Sequence, residues 1–128
     1  MSMQVFRTRV SFVLWSVAVL GVQPVWAEGG EPAPGRAREL VHLVRQDCGS
    51  CHGLTLQGGL GPALTAEALA DKPAEGLVAT IVGGRPGTPM PPFLGILTEA
   101  EAVWIVRELM KGFPEDGGPP PQTSESAR

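Results

Sequence analysis

The stretch Asp47-Cys48-Gly49-Ser50-Cys51-His52-Gly53 decides the reading of this chain. Two cysteines three residues apart, on one turn at the end of a helix, present both sulfurs to one side. A histidine follows at once, so its imidazole reaches the same place. Gly49 and Ser50 between them are small and let the backbone lie close to a flat macrocycle. C-x-x-C-H is the signature of covalent haem attachment, in which the sulfurs add to two vinyl groups and the histidine meets the iron. Two other chemistries use these residue types. A Cys48–Cys51 redox pair would suit a thioredoxin-like fold, but no βαβ pattern surrounds it. A structural zinc site wants four ligands, usually from paired motifs, and the only other histidine is His42.

Upstream, residues 36–47 carry Ala37, Leu40, Val41 and Val44 at helical spacing. Downstream lie a glycine-rich loop over residues 53–61 and a short helix over 65–72 with Thr65 as its cap. Pro73 suits a first helical turn, and Leu77, Val78, Ile81 and Val82 mark the helix that Gly83-Gly84 stops. Residues 85–93 hold four prolines and form an extended loop. Thr98-Glu99-Ala100-Glu101 is a capping box that opens a helix to about Lys111, ended by Gly112 and Pro114. No strand-like alternation and no internal repeat stand out. The expected fold class is all-α.

A second axial ligand is sought among Met90, Met110 and His42. Met90 sits in Gly87-Thr88-Pro89-Met90-Pro91-Pro92-Phe93, where prolines on both sides stiffen the loop and can hold a thioether at the metal. Met110 shares a helix with Val103 and Val106 and reads as core filler. His42 reads as a surface histidine. Arg85, just before the loop, is a candidate partner for a haem propionate. Leu54, Leu64, Leu77, Ile81, Phe93, Leu97 and Val106 are candidates for the pocket wall, and Trp104 is placed at the core's margin.

The chain resembles the class I monohaem cytochromes c from about residue 36 to 111. Besides C-x-x-C-H, the resemblance rests on Gly61-Pro62-Ala63-Leu64, on Met90-Pro91 and on the terminal helix pair. It implies that the Pro62 carbonyl accepts a bond from His52 Nδ1 and orients the ring, and that the two terminal helices cross around one covalent haem c. Within the class, residues 47–56 (DCGSCHGLTL), residues 84–92 (GRPGTPMPP) and Trp104-Ile105-Val106 are similar to the small NirC-type cytochromes that accompany cytochrome cd1 nitrite reductase. That similarity implies a periplasmic carrier of single electrons, not an enzyme. Its expected partners are cytochrome cd1 nitrite reductase or the proteins that mature haem d1. The alternative role it allows is an accessory or electron-accepting one in haem d1 biosynthesis or delivery. A gas sensor or peroxidase would require a labile Met90.

Composition sets the bounds around this reading. The 128 residues carry 10 Lys and Arg against 13 Asp and Glu, a formal charge of −3, so no basic footprint for nucleic acid exists. Residues 1–27 are read as a secretory signal. Arg7 and Arg9 precede an apolar run over residues 10–22, and Val25-Trp26-Ala27 forms a cleavage site. The run is shorter than the roughly 20 residues that span a bilayer, so no stable membrane anchor is expected. Residues 28–35 are read as a flexible linker, 36–112 as the cytochrome domain and 113–128 as a disordered tail. Beyond residue 27 the chain keeps 16 of its 17 Gly and 12 of its 13 Pro. So small and aromatic-poor a chain needs a staple, metal or large cofactor to stabilise it. Its only lysines are Lys72 and Lys111, so docking is expected to use an apolar patch around Leu54, Pro89 and Pro91 instead of a lysine ring.

Overall fold

The computed structural model describes residues 30–117, and the expected leader over 1–27 and the tail beyond 117 lie outside them. The described chain is helical. Its only bridge pairs Leu94 with Leu97 across a tight turn, so no strand forms among the described residues.

Helix α1, Pro34–Leu43, starts two residues before its expected position. Proline suits a first helical position because its missing N–H would have no partner there. The rod runs on through a π-helical turn, Val44–Cys48, into the short α2, Gly49–His52. Such wide turns interrupt α-helices mostly at functional sites, and this one ends on the first cysteine of the motif. Ala37, Leu40, Val41 and Val44 are all buried, as their spacing requires.

Helix α3 covers only Ala66–Leu69, shorter than expected, with Thr65 Oγ1 accepting from the Ala68 N–H at 3.3 Å. Pro73 caps α4, Ala74–Gly83, from an extended conformation and stands outside its first turn. Helix α5, Glu99–Lys111, opens on the expected capping box. The Glu101 N–H donates to Thr98 Oγ1 at 3.2 Å, and the Thr98 N–H donates to Glu101 Oε2 at 2.8 Å. Two backbone donors that a helix start leaves unpaired are thereby satisfied.

The terminal helices meet through side chains. Ala37, Leu40, Val41 and Val44 share one core cluster with Trp104, Ile105 and Leu109. Arg36 Nε donates to Glu101 Oε1 at 2.6 Å and joins the start of α1 to the start of α5. That arginine, with help from the capping hydrogen bonds, holds the Glu101 carboxyl down at about 2, below the usual carboxylate range.

Three expectations change here. Trp104 is the largest fully buried side chain and does not sit at the margin. Its Nε1–H donates to Glu31 Oε1 at 2.8 Å, and its edge meets Phe113 at a centroid distance of 6.5 Å. Glu31 therefore belongs to the folded domain, although the linker was expected to reach residue 35. The segment from Phe113, expected as the start of a disordered tail, is tied down as far as Asp116: Arg45 donates to the carbonyls of Phe113 and Pro114, and Asp116 pairs with His42 at 2.9 Å. Polar composition suggested looseness in both segments, but long-range partners hold them.

Candidate haem site

The C-x-x-C-H residues straddle the π turn and α2. Cys48 and Cys51 are half-buried free cysteines, and His52 is 9% exposed. His52 Nδ1 lies 2.6 Å from the Pro62 carbonyl oxygen. A carbonyl only accepts, so Nδ1 carries a proton, and in the neutral ring Nε2 keeps its lone pair. One backbone contact thus selects the tautomer that can bind a metal and fixes the ring, as the resemblance implied for Pro62.

The loop that delivers Pro62 folds back on the motif. Gly58 N–H donates to the His52 carbonyl at 2.8 Å, and Gly61 N–H donates to the Cys51 carbonyl at 2.9 Å. A Cβ on Gly61 would stand 2.7 Å from His52 Cε1, so only glycine lets the backbone pass under the imidazole. Leu56, with φ +61, plugs the same loop into the core at 2% exposure. A left-handed leucine costs about 1–2 kcal/mol, which its burial offsets. Neither role was read from sequence. Gly61 stood in the quoted G-P-x-L segment, but nothing in the sequence tells that its missing Cβ faces the ring.

Burial, with the Asp47 carboxylate adding to it, pushes the Cys48 thiol up to about 11. Such a thiol stays protonated at neutral pH, contrary to what a redox or nucleophilic cysteine needs. A thioether has no proton to lose, so the same burial suits covalent attachment. Among the described residues no group of three or more His, Cys, Asp and Glu could hold a metal ion, which leaves zinc without its ligand set.

The other candidates lie on α4 and the proline loop. Helix α4 is rich in apolar residues, yet none of them is fully buried. Leu77 and Ile81, with Leu64 and Phe93, are partly buried against the core. Of the other expected wall residues, Leu97 and Val106 are fully buried in the core, and Leu54 is 66% exposed. The proline loop is pinned to the end of α4. Phe93 N–H donates to Ile81 O at 3.0 Å, and Arg85 N–H to the Met90 carbonyl at 3.1 Å. Gly84, at φ +68, permits this return, because a Cβ there would lie 2.6 Å from Pro92 N. Met90 itself is half-buried, Pro89 and Pro91 are exposed, and so is Arg85. Met110 packs against the core, and the His42 side chain is exposed.

A family model described as cytochrome c oxidase, cbb3-type, subunit III matches residues 35–107. The chain is 52% identical over 109 residues to cytochrome c55X of Pseudomonas aeruginosa, covering 84% of this chain and 92% of that one. The chain belongs to the c-type cytochromes. Cytochrome c55X of Paracoccus denitrificans is 53% identical over 85 residues, 66% of this chain and 82% of that one. The solved c-type cytochrome NirC superposes with a TM-score of 0.62 at 54% identity, over 70% of this chain and all of the other. Dihydro-heme d1 dehydrogenase of Pseudomonas aeruginosa is 42% identical over 91 residues, 70% of this chain but 17% of that enzyme. The solved dihydro-heme d1 dehydrogenase NirN aligns with a TM-score of 0.52 at 37% identity, over 73% of this chain and 18% of its own.

The family implies one covalent haem c, and Cys48 and Cys51 fit its attachment site. The group supplies a one-electron couple when bound. Cys48 and Cys51 would attach it, and the Pro62 carbonyl fixes the ring of the adjacent His52. Electron transfer, not enzymatic turnover, is the chemistry of such a domain. No helix of the described residues is long and apolar enough to cross a membrane.

Proposed function

We propose that the cytochrome is a periplasmic carrier of single electrons in denitrification, delivering them to cytochrome cd1 nitrite reductase. The observation that carries the electron-transfer reading is the His52–Pro62 bond, which leaves Nε2 as the ring nitrogen available to iron. The likeness to cytochromes c55X and NirC supports the pathway. Met90 is the second axial ligand in this reading. Its loop is stiffened by prolines and laced to α4, which holds a flexible thioether in place. With two axial ligands, the iron has no open position for substrate, and thioether ligation with burial favours the ferrous form. The exposed Arg85 guanidinium pairs with a propionate. Residues 1–27 direct export.

One observation favours a second role. The chain matches a small portion of dihydro-heme d1 dehydrogenase, an enzyme named for haem d1 chemistry. In this second role the cytochrome accepts electrons during haem d1 maturation or helps its delivery.

Stopped-flow mixing separates the two. The reduced, purified cytochrome should be oxidised by nitrite reductase on the timescale of turnover. Slow oxidation there, with fast reduction of the ferric form by the dihydro-haem d1 dehydrogenase reaction, would move the assignment to haem d1 maturation. The ligand set has its own test. Met90→Ala should abolish the weak near-infrared sulfur-to-iron band of the ferric protein, lower the potential and admit exogenous ligands, while Met110→Ala should leave the band in place. The reverse pattern would overturn the role of the proline loop.

A further inference from the structure

Arg45 stands in the π turn, three residues before Cys48, and is only 6% exposed. Its guanidinium gathers carbonyls from two distant segments. Nε donates to Pro114 O at 2.9 Å, and Nη2 donates to Phe113 O at 2.8 Å and Pro114 O at 2.7 Å. Nη1 donates to Leu54 O at 3.3 Å, two residues past the histidine. The Phe113 ring lies beneath, 5.7 Å from Cζ. Nearby carboxylates are poor counter-ions. Glu115 is 88% exposed at 3.5 Å, and Asp47, on the same turn, is exposed as well. Arginine does not shed its proton, so a full cation sits inside the haem-attachment turn, solvated chiefly by neutral dipoles.

We propose that Arg45 is a positioning residue that also tunes the haem: its buried charge raises the reduction potential, and its carbonyl clasp holds that charge in place. Ferric haem carries one more positive charge than ferrous haem. A fixed cation in a low-dielectric interior disfavours the ferric state, and water screens it little. Exposed carboxylates such as Glu115 and Asp47 offset it weakly, because solvent screens them. The clasp ties Leu54, and with it the exit of the C-x-x-C-H motif, to the segment beyond α5. The charge therefore stays at one distance from the attachment turn. The wide π turn, unexplained by the haem attachment alone, is the element that carries this arginine.

The test is spectroelectrochemical titration of the purified, haem-loaded protein. Arg45→Lys keeps the charge and loses the fork; Arg45→Gln keeps donors and loses the charge; Arg45→Met fills the stem's volume without charge. The expected result is a lowered midpoint potential in the Gln and Met variants, and a midpoint near wild type in the Lys variant. Glu115→Gln should leave the midpoint unchanged. Equal potentials in all four proteins would reduce Arg45 to a structural residue, as would a Lys variant that falls as far as Gln. If both neutral variants fail to load haem while Arg45→Lys loads at the wild-type potential, the charge is still the property required. Failure of Arg45→Lys to load haem would overturn the charge role and leave only the clasp.

Discussion

Two halves of the cytochrome are held together in different ways. In the α1–α5 half, side chains do the locking: Leu40, Val44, Trp104 and Ile105 are buried, and Arg36–Glu101, Glu31–Trp104 and Arg45 tie the periphery. In the α4 and proline-loop half, backbone groups do it. Ile81, Val82 and Met90 carbonyls receive the N–H groups of Phe93, Leu94 and Arg85, while the apolar side chains of α4 stay half-buried. The contrast shows a division of labour. One half closes its apolar surface on itself; the other is shaped by hydrogen bonds and keeps its apolar side chains only partly buried against that core.

The largest effect should come from cutting the bond that joins the haem to the chain. Cys51→Ala should leave at most one thioether and little folded protein, because haem contributes much of the apolar centre of a chain this rich in Gly and Pro. Haem staining of a denaturing gel and intact mass report it. Abundant, stable protein with no covalent haem would break the comparison, since the α4 half would then stand without haem.

The next test sets one half against the other. Trp104→Ala should cost about 3–5 kcal/mol in chemical denaturation, as deletion of a fully buried indole does, and should barely move the visible spectrum. Leu77→Ala should cost less, about 1–2 kcal/mol for a partly buried side chain, yet shift the Soret band or the potential. If the two variants exchanged these signatures, Leu77 would belong to the core and Trp104 to the haem wall.

The smallest expected effect is in pH. Glu101 has a folded pKa of about 2, depressed by Arg36, and an ordinary carboxylate value when unfolded. Its stabilisation is therefore fully present above about pH 5 and is lost as pH falls toward 2. Arg36 is partly exposed, so solvent screening leaves the pair on the order of 1 kcal/mol. Glu101→Gln should lower stability at pH 7 by about that amount and flatten its decline in acid. An unchanged acid profile would remove the ion pair from the account of the α1–α5 half.

Much of this molecule was legible in the residues alone, because the chemistry concerned is local. C-x-x-C-H lies within five consecutive residues, and the Thr98–Glu101 capping box within four. The stripe of Ala37, Leu40, Val41 and Val44 repeats with the helix itself. Each of these features is complete within one or two turns, so spacing suffices to read it. What the tertiary structure alone decided involves residues far apart, or backbone groups that carry no sequence code. Glu31 meets Trp104 across 73 positions, and Arg45 takes the Phe113 and Pro114 carbonyls from 68 and 69 positions away. The His52 ring rests on Gly61 because an atom is missing there. Every residue has a carbonyl, and every glycine lacks a Cβ. Only the path of the folded chain selects which carbonyl holds a buried arginine, and which glycine must stay bare.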